Sequence, residues 1–325
     1  MLGAIEILTL QLLRQPALSE KQLIQCVTKH SLPQTEIDTN LNLLLEHVNQ
    51  SARTHYTLEN FKEAQRQAHI IQQRCMRLDI KMIAFHDPLF PSELKAIPNN
   101  PPILLYARGD LNALQTQPRV AIVGSRESSN PGITAAHHYS KFLSEQGYAI
   151  VSGLAKGCDT AAHQGCLGAR GVTIAVLANG LDDASIYPHE NRPLARRIIE
   201  NNGLLLSEYP PQTPSQASQF IARNRIQSGL SASIVIIECA SRGGTMATAQ
   251  HAKKQKVPIA CLTYSDNTRA ELAKRAGNKK LITEDAAAEF RDEQELFTFL
   301  QQIVNKKNAV NCQPSLGPFK IFFPQ

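Results

Sequence analysis

Residues 119–160 read RVAIVGSRESSNPGITAAHHYSKFLSEQGYAIVSGLAKGCDT. Two unbroken apolar runs, 120–123 and 148–151, flank a stretch long enough for a helix. Each run ends in a glycine-rich turn: Gly124-Ser125-Arg126 after the first, Ser152-Gly153-Leu154-Ala155-Lys156-Gly157 after the second. A strand without polar alternation is buried on both faces, and such strands separated by helices form a parallel sheet. The pattern continues through apolar runs at 172–177, 204–207, 234–238 and 259–262. The intervening segments, roughly 12–25 residues, are long enough for crossover helices. The fold class expected is α/β, an extended Rossmann-like, doubly wound parallel sheet over residues 79–285.

Outside that region the pattern changes. Over 1–78, leucines at helical spacing (Leu10, Leu12 and Leu13, then Leu41, Leu44, Leu45 and Val48) predict a small helical N-terminal module. Ser19 followed by Gln22 resembles a capping box opening its second helix. Between 79 and 118, five prolines surround two strand-like runs, 80–85 and 103–106. Beyond 285 only one more helix is expected, near 289–304, then an irregular tail to 325.

Of the 325 residues, 42% are hydrophobic and 19% charged, a globular balance that excludes wholesale disorder. No apolar run approaches the ~20 residues that span a bilayer. Seven cysteines, none in a C-x-x-C pair, argue against a zinc ribbon and a disulfide framework. A cytoplasmic protein without metal or cofactor is the expectation. The net charge of +6 is concentrated: residues 119–265 hold 14 basic and 9 acidic residues, whereas 1–118 hold 11 of each. A basic excess in one domain favours an anionic partner.

In doubly wound sheets ligands bind where the strands end. The Gly124-Ser125-Arg126 turn leads into a helix whose N-terminus suits a phosphate, and Arg126 adds a bidentate donor. Lys156 is a second cation at the same sheet edge. Arg223-Asn224-Arg225 precedes the fifth strand and combines two arginines with an amide. Ser241-Arg242-Gly243-Gly244-Thr245 forms a third glycine-rich turn after it. These turns do not read G-x-G-x-x-G, and no G-K-[ST] follows, so dinucleotide binding in the usual mode is disfavoured. Several anion subsites along one edge fit a polynucleotide better than a single nucleotide. Asp159 and His163, four apart on a helix, lack an accompanying nucleophile, so the pair reads as structural. Tyr187, Tyr209 and Phe220 are the aromatic residues near loop ends, each expected to pack and not to stack on bases.

Six strings in order, VAIVGSR, VSGLAKGCDTAAH, TIAVLANGLD with YPHEN, LLLSEYPP, FIARNRIQSGLS and GGTMATAQHA, resemble the DprA/Smf family of DNA-processing proteins. DPLFPSELKAIPNNPPILLYARGD at 87–110 is similar to the segment preceding that family's core. The resemblance implies a non-enzymatic, dimeric protein that binds and protects single-stranded DNA and loads a RecA-type recombinase in natural transformation. It places the DNA pocket on Gly124, Ser125 and Arg126, on Ser152, Gly153 and Lys156, and on Arg223, Asn224 and Arg225. Gly243, Gly244 and Thr245 join that set from the turn analysis above.

Three departures stand out. CLTYSDNTRAEL replaces the family's usual Val-Pro-Gly turn, although GNKKLI partly restores the pattern downstream. Arg242-Gly243-Gly244-Thr245 stands where a Ser-Gly-Ser sequence is more usual, and no winged helix is expected after 285. The competing reading is a nucleotide-binding, phosphoribohydrolase-like enzyme of the lysine-decarboxylase-like type. The turn at 241–245 lacks that pattern's proline, third glycine and following glutamate.

Overall fold

The computed structural model describes residues 2–13, 18–29, 41–53, 55–263 and 269–311. The expected tail after 311 and the altered turn at 264–268 lie outside them.

Four N-terminal helices, α1 (Ala4–Leu12), α2 (Glu20–Lys29), α3 (Leu41–Ala52) and α4 (Leu58–Arg77), form the opening module. Ser19 does cap α2: its N–H and hydroxyl donate to Gln22 Oε1 at 2.9 and 2.7 Å, and Gln22 N–H returns to Ser19 Oγ at 3.3 Å. Thr57 and Asn60 form the equivalent box at α4. α4 buries Phe61, Ala64, Ala68 and Cys75, the 3-4-7 spacing of a one-sided helix. That face packs on α1 and on β1 (Lys81–Ala84). The apolar cluster runs unbroken from Ile7, Leu10 and Phe61 to Tyr106 and Leu205 in the sheet. His86 Nε2, 2.9 Å from Val27 O, adds a polar tie to α2.

After β1 come the short α5 (Ser92–Lys95) and β2 (Leu104–Gly109). Strand and helix then alternate: β3 (Arg119–Val123), α6 (Asn130–Glu145), β4 (Ala149–Ser152), α7 (Cys158–Gly168), β5 (Thr173–Val176), α8 (Arg192–Glu200) and β6 (Leu204–Ser207). The second half holds α9 (Ala217–Gly229), β7 (Ser233–Ile236), α10 (Gly244–Gln255) and β8 (Ile259–Leu262). α11 (Arg269–Lys274), α12 (Ala276–Asp285), β9 (Ala288–Phe290) and α13 (Glu293–Asn311) complete the described chain.

Among the described residues the strands form one sheet in the order β1-β2-β6-β5-β4-β3-β7-β8-β9. From β6 to β9 every pairing is parallel; β1 and β2 extend the sheet antiparallel. All six runs anticipated as core strands are strands. β9 was not anticipated: three residues, of which only Phe290 is buried, leave no periodicity to detect. Chain order reverses at β3, which pairs with β4 on one side and β7 on the other. α6, α7 and α13 cover one face around Ile122 and Ile150, and α9, α10 and α12 cover the other around Val151 and Ile236.

Two buried polar side chains in this frame contrast. Arg119 is enclosed yet satisfied, donating to Leu230 O at 2.8 Å, Leu114 O at 2.5 Å and Glu93 Oε1 at 2.8 Å. Tyr106 is fully buried and its hydroxyl has no partner. An unpaired buried hydroxyl costs about 1–3 kcal/mol. Tyr106→Phe removes that cost while keeping the ring, so it should raise the stability of the chain by ~1 kcal/mol in urea denaturation; a loss of that size would mean the hydroxyl has a partner.

Candidate anion-binding cleft

The loops after β3 and β7 diverge at the reversal point, and a cleft of about 400 Å³ opens between them. Its mouth holds Gly124, Ser125 and Arg126 from the β3 loop, and Arg242, Gly243 and Gly244 from the loop after β7. Phe220, Arg223, Asn224 and Gln227 of α9 form one wall. These α9 positions are three or four residues apart and so share a helix face.

The depth of the cleft is set by a glycine and an arginine. Arg223 is only 4% exposed, and its Nη1 donates to Val176 O at the end of β5. A Cβ on Gly153 would lie 1.9 Å from that same Nη1, so the turn after β4 must lack a side chain for the guanidinium to fit. Burial lowers the Arg223 pKa to about 10, with Asp159 opposing the shift; the group remains a cation at neutral pH. Asp159 Oδ2 accepts N–H bonds from Gly153 at 3.1 Å and Ala155 at 3.4 Å. Burial pushes its pKa up, against the Arg223 charge.

The helix N-terminus expected to take a phosphate is already filled. Glu238, fully buried just past β7, accepts the Ser129 N–H at 2.7 Å and the Ser129 hydroxyl at 2.7 Å. Ser129 in turn caps α6. The carboxylate supplies the negative charge that this helix end favours, and an incoming anion is excluded. The free helix end at the cleft is that of α10. Gly243 precedes it at φ +130°, backbone that side chains rarely adopt, and nothing lies within 4 Å of where a Cβ at Gly243 or Gly244 would stand. Thr245 lines the cleft on the first turn.

Arg126 lies over the Phe220 ring, with its guanidinium carbon 4.6 Å from the centroid. Neither Arg126 nor Arg242 forms an ion pair among the described residues. Tyr187, partly exposed, stands with its ring 5.7 Å from Phe220. Phe220, expected only to pack, therefore sits on the cleft wall beside the cation. The acids at the cleft are Asp159, tied to backbone, and Glu127.

The sequence-predicted residues divide accordingly. Gly124, Ser125, Arg126, Arg223, Asn224, Gly243, Gly244 and Thr245 meet at the cleft. Gly153 acts from behind by admitting Arg223. Three others face elsewhere. Ser152 is fully buried and donates to Ile122 O at 2.8 Å inside the sheet. Lys156 points to solvent and pairs with Glu190 at 2.8 Å. Arg225 is buried against Glu208, with two N–O contacts of 2.6 Å, and donates to Asn100 O. Arg242, Phe220 and Gln227 were not singled out as ligand residues. The signal available for the last two was their spacing of three and four from Arg223. Asp159 and His163 form no hydrogen-bonded pair: His163 Nδ1 meets Thr173 Oγ1 at 2.7 Å, and its Nε2 is buried without a partner.

Fold and cleft together define a Rossmann-like protein that receives anions at its reversal point, through a helix end other than the one dinucleotide binders use. The chain belongs to the family of DNA recombination-mediator protein A, whose model matches residues 81–301. It is 42% identical over 171 residues to the protein Smf of Synechocystis, a match covering 52% of this chain and 42% of that relative. Among solved structures it is similar to DNA processing protein A of Streptococcus pneumoniae, with TM-score 0.74, 28% identity, and 91% and 98% of the two chains covered. It is also similar to that of Helicobacter pylori, described for its single-stranded DNA binding mode, with TM-score 0.60, 27% identity, and 70% and 97% covered. Matches to the curated relatives span 42–58% of their lengths in the three leading cases.

Two outcomes follow from the buried groups. Gly153→Ala should displace the Arg223 guanidinium and destabilise the chain by ~1–3 kcal/mol, read by urea denaturation; unchanged stability would mean that Arg223 is free to swing out. His163, held down to about pH 3 mainly by burial, stays neutral in the fold while the unfolded chain takes up a proton below its ordinary pKa of 6.5. Its contribution is complete above 6.5 and is lost as pH falls towards 3, with a limiting slope of ~1.4 kcal/mol per pH unit. His163→Gln should therefore flatten the fall in stability between pH 6 and 4; parallel pH profiles for variant and wild type would contradict this.

Proposed function

We propose that this protein binds single-stranded DNA at the reversal-point cleft and serves as a recombination mediator that passes the strand to a RecA-type recombinase. The observation carrying this reading is the Arg126–Phe220 stack at the cleft mouth. A cation and an aromatic face lie side by side there, which is what a strand offers in return: a phosphate and an unstacked base. Around them Arg242 and the open end of α10 supply further phosphate contacts by charge and backbone N–H groups. Such contacts are nearly independent of sequence and weaken with salt. Stacking on Phe220 requires a base free of its own stack, which favours single strands over duplex. Family membership and the similarity to the Helicobacter pylori protein support the same partner.

No helix among the described residues is long and apolar enough to cross a membrane. A homodimer acting in the cytoplasm without enzymatic turnover completes the proposal.

The test is fluorescence anisotropy of a labelled oligo-dT across a salt series, with duplex as competitor. Binding should weaken steeply with salt and resist duplex. Arg126→Glu should lower affinity ~10-fold or more with an unchanged melting temperature. A folded Arg126→Glu variant that binds as tightly as wild type would remove the cleft from the proposal.

A further inference from the structure

Helix α9 buries six consecutive residues, Arg223 to Ser228, and all but Ile226 are polar. A helix seated on a sheet ordinarily presents apolar side chains there, and buried polar groups are costly unless partnered. Most of these are. Arg225 pairs with Glu208, Ser228 Oγ donates to Gln255 Oε1 at 2.6 Å, and Asn224 Nδ2 donates to Gly244 O at 3.2 Å. Two donors are not: Arg223 Nε and Gln227 Nε2 are buried with no hydrogen-bond partner. They lie four residues apart on one helix face, and both residues line the cleft.

The two differ in chemistry. Arg223 already spends part of its guanidinium on Val176 O and lies in the field of Asp159. Gln227 is 2% exposed and neutral. An amide is a poor phosphate ligand beside arginines, but it carries a donor and an acceptor side by side, as the edge of a nucleobase does. The cleft is thus polarised. Cations and the α10 helix end sit at the mouth, whereas the wall also carries an amide whose donor lacks a partner. At about 400 Å³ the space falls in the size range of small-ligand sites and admits one nucleotide.

We infer that one base of the bound strand turns into the cleft and is read by Gln227, whose Nε2 donates to a carbonyl oxygen on the base edge. Gln227 is then a specificity-determining residue that favours keto bases. This rests on the single-stranded DNA reading above.

The experiment compares two labelled oligomers of equal length, oligo-dT and one built of abasic tetrahydrofuran units, against wild type, Gln227→Leu and Gln227→Met. Stacking on Phe220 gives wild type some preference for dT in any case, so the informative quantity is the change in the dT-to-abasic affinity ratio. It should fall about three- to tenfold in both variants, the worth of one hydrogen bond. The melting temperature should hold or rise, because an unpaired amide has been removed from a buried wall. A ratio equal to that of wild type in a folded variant overturns the base-reading role and leaves strand binding intact. A fall in melting temperature with no change in ratio would assign Gln227 to the fold alone. Failure of wild type to bind either oligomer would instead sink the single-strand reading, and this inference with it.

Discussion

Burying the Arg223 guanidinium fixes the strand ends around it. Its charge needs compensation, and its planar head needs room. Asp159, gripped by two backbone N–H groups, supplies opposite charge, and Gly153 supplies room by having no side chain. The bond to Val176 O ties α9 to the end of β5. One side chain therefore links the turns after β4 and β5 to the helix that walls the cleft. Removing one member of such a buried set leaves uncompensated charge or crowding, which costs more than a surface pair yields. The position of every ligand-facing group on α9 follows from this anchorage, because a helix is rigid and its side chains keep a fixed angular spacing.

A second constraint decides where an anion enters. In a Rossmann-like sheet the helix after the first core strand ordinarily receives phosphate. Here Glu238 closes that end with its own carboxylate, held by Ser129. The Ser125 N–H also donates to Glu238 O at 2.8 Å, so the same residue pins the Gly124–Arg126 turn against the end of β7. Gly124 permits this approach, since a Cβ there would lie 2.3 Å from Cys158 Sγ. With α6 sealed, the α10 end and the arginines become the anion contacts. They lie along an open mouth and not in a closed loop, a shape that suits a chain passing through better than a terminal phosphate.

The N-terminal helices contribute differently. Their apolar faces merge with the β1–β2–β6 side of the sheet, on the flank away from β7 and the cleft. Their influence on the site is transmitted through the antiparallel extension and not through direct contact.

Local sequence was enough for the alternation of apolar runs and helices, the glycine turns and the capping box at Ser19, because strand burial, turn geometry and helix capping are set by neighbours a few residues away. It was also enough to bring Arg126, Arg223 and the Gly243–Gly244 turn to one edge, since strand ends in a parallel sheet share an edge whatever the side chains. Which arginine faces the ligand was a tertiary decision. Arg223 and Arg225 lie about 200° apart around a helix, and only the packed sheet shows that Glu208 waits on one side and the cleft on the other. Lys156 was claimed by Glu190, 34 positions away, and Ser152 by the carbonyl of Ile122, 30 positions away. The sealing of α6 depends on Ser129 and Glu238, 109 positions apart. Local patterns encode elements and edges; partners so distant in the chain exist only once the sheet has brought their strands together.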